Sequence, residues 1–460
     1  MSRALLSTLG FLLASATWAQ SVSITWIGQA CFYIQAENGP MVVVDPPAAN
    51  VGYTLPTTPA DVVTISHNHT DHNASASVRG SFVLVDGRPT SQRTETAAAG
   101  LTFIQAPGFH DNTNGSARGP NTIMVWRQGD LKFAHFGDFG QDAPTEAQLA
   151  DLRDVDVMMV AGGGFFTLEP PAVAALIAQI KPRVAILMHW RTAIGGPAQL
   201  ATLPAVANPF PDIRYKPSTV QVSRATLPDP TQVWVMEPAA DAAVVNLAGA
   251  TPGAPVAAGA LAAVKGNFTG STTGSASAFP IPTKIDQTEV FIGTTAAPML
   301  YTSPTQANFQ APGSLAPGQN VVEVRVGGQR VARGAITTVP HGPGLFAAVD
   351  SEGRVGRIRA GDYLTIYGSG QGAVSPAMPD GTVAGFSPLS RTTTDPVVTL
   401  GGRRIPVLYS GLAPGWVGLW QIDLQVPKDA ATGENQDLVV MFEANVPSNA
   451  LKLAVEAPRD

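Results

Sequence analysis

Three imidazoles and a carboxylate fall within six residues in His67-Asn68-His69-Thr70-Asp71-His72, directly after the apolar run Val62-Val63-Thr64-Ile65. A short β-branched run of that kind reads as a buried strand, which places the polar residues on the turn that ends it. Neutral imidazole nitrogens and a carboxylate oxygen suit borderline divalent cations, Zn2+ first, with Mn2+ or Fe2+ accepted by the same donors. A tight turn can aim neighbouring side chains at two ions, His67 and His69 at one, Asp71 and His72 at the other. A polar loop of surface histidines is the simpler alternative. Six of the chain's seven histidines lie between residues 67 and 189, however, and that clustering favours a metal centre.

Elements able to position such a centre surround it. Ser23-Ile24-Thr25-Trp26-Ile27 alternates as a strand does, Gly28 interrupts it, Cys31 to Ile34 resumes, and Met41-Val42-Val43-Val44 ends at Asp45-Pro46. Thr145-Glu146-Ala147-Gln148 has the form of a capping box and predicts a short helix to about Leu152. Val155 to Val160 then reads as a buried strand ending in Gly162-Gly163-Gly164. No nucleotide-binding lysine follows those glycines, so they are read as backbone passing close to the site. Pro170-Pro171 opens a helix to Ile180, Lys181-Pro182 ends it, and Val184 to Met188 delivers His189 at a strand tip. This alternation predicts a layered α/β fold.

The residue 67–72 pattern resembles the H-x-H-x-D-H signature of the metallo-β-lactamase superfamily, and the resemblance extends from about Ile24 to about Pro238. It implies an αββα sandwich and supplies the remaining ligands. His110, in Pro107-Gly108-Phe109-His110, matches the third histidine of the first ion; Asp138, in Phe136-Gly137-Asp138, matches the carboxylate between the ions; His189 matches the last ligand of the second ion. On that reading His67, His69 and His110 hold one ion and Asp71, His72 and His189 the other. Asp138 and a hydroxide lie between them, and Asp71 and Asp138 are the catalytic carboxylates. The implied reaction is hydrolysis of a small-molecule ester, lactone or phosphoester.

In the ascorbate-phosphate lactonase branch of the superfamily a histidine often follows the glycine; here Gln29 stands there and is read as a hydrogen-bonding residue at the site edge that contacts substrate. Arg118, beside His110 in a turn-rich loop, is either a clamp for an anionic substrate or a salt bridge supporting the loop. His135 is read as a second-layer or substrate-contacting residue, with a core histidine as the alternative. Asp138 argues against a true β-lactamase, which lacks the bridging carboxylate. A purely structural metal in an adhesion or envelope-binding protein is disfavoured because such a site closes with four ligands.

Residues 1–19, with Arg3, an apolar run from Leu5 to Ala16 and Thr17-Trp18-Ala19, are read as a secretory signal peptide, which predicts a secreted or periplasmic protein. No apolar run has the length of a spanning segment. A net charge of −6 without a basic run excludes nucleic acid as an expected partner. Cys31, the only cysteine, is read as a buried small residue, so covalent cross-links contribute nothing to stability.

After about Ala239 helical periodicity fades. Residues 240–278, rich in Gly, Ala, Ser and Thr, are read as a linker and the start of a β region. A repeat follows: Val290 to Tyr301 parallels Val398 to Tyr409, and Gln306 to Pro312 parallels Gln421 to Pro427, the second copy carrying extra residues around Gly411 to Leu419. Two immunoglobulin-like β-sandwiches, 279–340 and 341–460, are predicted. The segment resembles an uncharacterised C-terminal domain of secreted bacterial proteins, a resemblance that implies no function; cell-envelope or extracellular attachment is the role expected of it. Its one histidine, His341, has no partner for a second metal site. The two halves are expected to fold and to work independently.

Overall fold

Alternation in three opening strands, Val22–Gly28, Cys31–Ala36 and Met41–Val44, sends successive side chains to opposite faces. Ile24, Trp26, Phe32, Ile34, Val42 and Val44 point into the main core, while Ile27, Cys31, Tyr33 and Val43 point to a second, outer cluster. The computed structural model describes residues 20–88, 91–240, 242–249, 254–442 and 446–459; the leader read at 1–19 lies outside them. Those strands belong to a six-stranded sheet that continues through Val62–Ile65 to Val83–Asp86 at one edge and ends at Thr219–Val222 at the other. It faces an eight-stranded sheet whose centre holds Val184–Met188, Val157–Ala161 and Leu131–His135, mutually parallel. Burying each large apolar side chain between such sheets stabilises by roughly 1.5–3 kcal/mol.

The expected helices form. Thr145 Oγ1 accepts from Gln148 N at 3.2 Å and Gln148 Oε1 from Thr145 N at 2.8 Å, capping Glu146–Leu152. Pro170–Ile180 begins at its proline pair and stops where Lys181 turns left-handed. A third helix, Leu203–Ala207, was not expected, and Leu152, Val173, Leu176, Ile177, Leu203 and Val206 from these three helices all join the main core. The outer face of the six-stranded sheet departs from the αββα expectation. Among the described residues no α-helix contributes to its cluster, which is closed by Tyr53, Ala60, Val78 and Ile194 from loops and by Ala335 from the β half.

The 240–278 stretch is not a linker. Ala242–Asn246 and Leu261–Gly266 pair antiparallel inside a large sheet running to Gln329–Val339, and Ala257, Ala260, Ala262 and Val264 are buried in its core. Small residues there satisfy close strand packing, a need that composition alone does not distinguish from flexibility. The first β unit therefore begins at 242 instead of 279. The second, from Gly344 to Glu456, has two sheets around its own core.

The repeat holds in the pairing. Met299–Thr302 with Gln306–Gln310 corresponds to Val407–Leu412 with Trp420–Gln425, both antiparallel. Thr288–Ile292 with Gly318–Val326 corresponds to Val397–Leu400 with Gly433–Met441. The extra residues of the second copy fall between Leu412 and Trp420. No helix among the described residues is long and apolar enough to cross a membrane.

Candidate metal centre

Strand ends deliver the polar residues. Ser66 and His67 follow Val62–Ile65, His110 follows Leu101–Phe109, Asp138 follows Leu131–His135 by three residues, and His189 follows Val184–Met188. His189 and Asp45 take positive φ, 53° and 43°, a region that ordinary residues occupy at a cost of about 1–3 kcal/mol and that clusters at functional sites. Gly137, at φ 53°, is required by contact: a Cβ there would lie 2.3 Å from Asn121 Oδ1 and 2.6 Å from Ser66 Oγ.

All seven predicted ligands come together, in two sets of four whose donor atoms lie within 4.8 Å of one another: His67, His69, His110 and Asp138, and Asp71, His72, Asp138 and His189. Asp138 belongs to both. Its Oδ2 stands 2.9 Å from His110 Nε2 and 3.2 Å from His189 Nε2, and its Oδ1 stands 3.2 Å from His72 Nε2. Asp71 Oδ2 lies 3.4 Å from His189 Nε2 and 3.5 Å from His72 Nε2. His72 Nε2, His189 Nε2 and Asp138 Oδ1 are buried and have no hydrogen-bond partner. Buried polar atoms are rarely left so, and a divalent cation in the second set would satisfy them. In the first set His67 Nε2 and His69 Nδ1 face each other at 3.0 Å, both of them metal-ligating atoms, so the residues fit bound metal.

The electrostatics agree. Burial pushes the Asp138 carboxyl up, but His189 and His72 pull harder and hold it well below the usual carboxylate range. Burial likewise opposes charging of His189, yet Asp138 raises it to about 9. These acids attract positive charge, and a cation would displace the protons they otherwise hold on the imidazoles. His67 goes the other way, lowered mainly by burial, so its ring is neutral and able to ligate.

Asp45 was noted in the sequence only as the end of a strand, and its role is larger. Its carboxylate accepts His72 Nδ1 at 2.8 Å, Ser66 N at 2.8 Å and Ser66 Oγ at 2.5 Å. That bond fixes the His72 tautomer so that Nε2 faces the metal set. Burial would raise the Asp45 carboxyl, but His135 and the bond from His72 outweigh it and lower it. Asn121 was also missed; its Oδ1 accepts Asp138 N at 2.9 Å while its Nδ2 donates to Phe136 O at 2.9 Å. An acid closing an apolar strand before Pro46 was the available signal for Asp45. Asn121 carried none.

Two predicted substrate contacts are corrected. Gln29 is fully buried and donates from Nε2 to Asp71 Oδ2 at 2.8 Å, so it positions a ligand and does not meet substrate. His135 is fully buried, with Nε2 against Ala30 O at 2.8 Å and Nδ1 accepting Gly137 N at 3.2 Å, which makes it a satisfied core histidine behind the site. Arg118 stays at the site. It lines a cleft of about 640 Å3 with His69, Asp71, His110, Asp138 and His189. Its Nη2 donates to Phe165 O at 3.0 Å and its guanidinium lies 5.0 Å from the Phe166 ring centre. No carboxylate pairs with it among the described residues, so the supporting salt bridge is absent. The loop is held instead by Asp111, which accepts the backbone N–H groups of Thr113, Gly115, Ala117 and Arg118.

Residues 23–189 match the family profile described as the Beta-lactamase superfamily domain, and with this fold they define the front half as a metallo-β-lactamase superfamily domain. Its relatives are metal-dependent hydrolases by name. A UPF0173 metal-dependent hydrolase of Anaeromyxobacter sp. (strain K) is 24% identical over 252 residues, covering 47% of this chain and 84% of the relative. A namesake from Pyrobaculum neutrophilum is 25% identical over 245 residues, covering 47% and 97%. A solved structure from Thermotoga maritima, described as a candidate Zn-dependent hydrolase of the metallo-β-lactamase superfamily, is 27% identical, covering 47% of this chain and 98% of that one with a TM-score of 0.38.

Proposed function

We propose that this protein is a dinuclear-metal hydrolase, most simply dizinc, that cleaves an ester, lactone or phosphoester carrying an anionic group. The observation that carries this reading is the pair of four-donor sets sharing Asp138, with His72 Nε2, His189 Nε2 and Asp138 Oδ1 buried and without hydrogen-bond partners. His67, His69 and His110 would hold one ion, Asp71, His72 and His189 the other. Bound there, two divalent cations lower the pKa of water toward neutrality and polarise the oxygen of the bond under attack.

The protein's own groups do the remaining work. Asp138 keeps the two sets in register through both oxygens. Asp45 and Gln29 hold His72 and Asp71 in the required orientation. Asp71, with a side chain 20% exposed against 3% for Asp138, is the carboxylate placed to take the proton released on attack. Arg118 offers its planar fork to an anionic group of the substrate. Among substrates of this kind a lactone stays open although Gln29 departs from the lactonase-like pattern, because Gln29 faces a ligand and not the cleft.

Export, read from residues 1–19, belongs to the same proposal, as do an immunoglobulin-like nature for the β units and their attachment to the cell envelope. The repeated strand pairing supports the second of these. Elemental analysis of the reconstituted protein should find close to two ions per chain, and a screen of lactones, phosphoesters and β-lactams should find turnover in one of the first two classes. One ion or none after reconstitution would sink the dinuclear reading.

A further inference from the structure

The cleft is walled in part by a loop that the β half holds in place. Gly196 and Pro197, seven and eight residues after His189, line the cleft with Asn50 and Val51. The loop is tied inside the front half by Tyr53 Oη to Thr192 Oγ1 at 2.8 Å and by Gly196 N to Val51 O at 2.9 Å. Packing there is tight, for a Cβ on Gly195 would come within 2.9 Å of Val51 O and of the Tyr53 ring. Its other side is tied across the chain: Ala193 N donates to Gln319 Oε1 at 2.8 Å, and Arg333 Nη1 donates to Ile194 O at 3.5 Å.

These contacts come from one sheet face. In the strand Gln329–Val339, Ala332 and Ile336 point into the β unit's core, so Arg333 and Ala335 point away from it, and Ala335 is buried with Ile194, Tyr53 and Cys31. Gln319 is paired with Thr337 in the neighbouring strand and presents the same face. The face covers the outer cluster that no α-helix among the described residues reaches.

We propose that the first β unit is a working part of the cleft, and that Gln319, helped by Arg333, is a positioning residue that fixes the Thr192–Pro197 loop and through it the width of the substrate site. This inference rests on the hydrolase reading for its functional half only. The experiment compares full-length, metal-loaded wild type, Gln319→Ala and Gln319→Glu. Hydrogen exchange should speed up roughly tenfold in a peptide spanning residues 190–200 for Q319A, as expected when a part-buried hydrogen bond is lost, while peptides from 242–339 stay protected. Q319E keeps an acceptor for Ala193 N–H and should return exchange to the wild-type rate. With bis(p-nitrophenyl) phosphate as probe, Q319A should raise KM by at least about threefold with kcat and metal content held. Should Q319A fail to fold, R333A carries the same measurements. Unchanged exchange at 190–200 overturns the proposal, and faster exchange with unchanged KM overturns its functional half. Absence of turnover by the wild-type protein would sink the hydrolase reading, and the exchange data would still decide whether the β unit holds the loop.

Discussion

The front half, residues 20–240, and the first β unit, residues 242–339, are both built on apolar strands, but they handle buried polar groups in opposite ways. Inside its core the β unit pairs its own: Ser271 Oγ lies 2.8 Å from Thr288 Oγ1 and 2.9 Å from Thr302 Oγ1, a closed set of hydroxyls, while its unpartnered Gln319 Nε2 and Arg333 Nε belong to the face turned toward the front half. Its remaining core is alanine, valine, isoleucine, phenylalanine and Met299. In the front half imidazoles and carboxylates are gathered at strand ends, several of their atoms are left unpartnered, and Gln29, Asp45 and His189 adopt left-handed backbone conformations around them. Unsatisfied polar atoms and positive φ both cost stability. Their concentration at one place teaches that the front half gives up stability for chemistry, whereas the β unit is optimised for packing. The expected consequence is that polar substitutions in the front half change function with little loss of fold, and that apolar substitutions in the β unit do the reverse.

The sharpest way to break that contrast is Asp138→Ala. It removes the carboxylate common to both ligand sets, so kcat/KM should fall on the order of a thousandfold and one ion should be lost, with the circular dichroism spectrum retained. Full turnover on the substrate identified by screening would show that Asp138 does not bridge. Next comes Asp45→Ala, which frees the His72 tautomer. Loss of such an outer partner lowers metal affinity by about 10–100-fold, to be read by competition with a chelator. An affinity equal to wild type would mean that Ser66 and the burial of His72 orient the ring without help.

On the other side of the comparison stands Ala262→Leu. Ala262 is fully buried opposite Phe309 in the β-unit core. Overpacking should destabilise that unit by roughly 1–3 kcal/mol while metal content stays at the wild-type level. A flexible linker would tolerate the change, so an unaltered melting profile would restore the linker reading. A smaller effect is expected for Arg118→Ala. Its contact to an anionic group should appear as about a tenfold rise in KM for an anionic substrate and none for a neutral analogue, because charge-assisted hydrogen bonds contribute roughly 1.5–3 kcal/mol. Equal rises would assign Arg118 to holding Phe165 and Phe166.

The same contrast explains what could be read before folding. Metal ligands are chosen by element type and placed by strand ends, so His67, His69, Asp71, His72, His110, Asp138 and His189 were visible as residues and are found together. Their supports are ordinary polar residues whose task depends on three-dimensional neighbours. Gln29 was therefore noticed but assigned to substrate, His135 was left between a substrate contact and a core histidine, Asp45 was passed over as a strand terminus, and Asn121 left no trace. In the β half the repeat was legible because strand pairing repeats with it. The 240–278 stretch was misread because Ala262 in a tight sheet and alanine in a linker look the same without their partners. The bond from Ala193 to Gln319 joins residues 126 apart and could not be inferred from pattern at all.

The smallest predicted effect lies at the seam between the two regions. Glu237 follows Gln232–Met236, the last strand of the front half's eight-stranded sheet, its backbone N–H donating to Lys216 O at 3.0 Å. Its carboxyl forms no hydrogen bond or ion pair among the described residues, and burial raises it from an ordinary value of 4.5 to about 8. The proton is therefore held more tightly in the folded chain than in the unfolded one. The stability linked to this group is fully present below about pH 4.5 and is lost as pH climbs toward 8. Because the side chain is partly exposed, solvent screening keeps the effect modest. Glu237→Gln mimics the protonated form and should show a higher Tm than wild type at pH 8, with the two values converging toward pH 4.5. Parallel Tm curves across that window would mean that the carboxylate reaches water and that its burial costs the folded chain nothing.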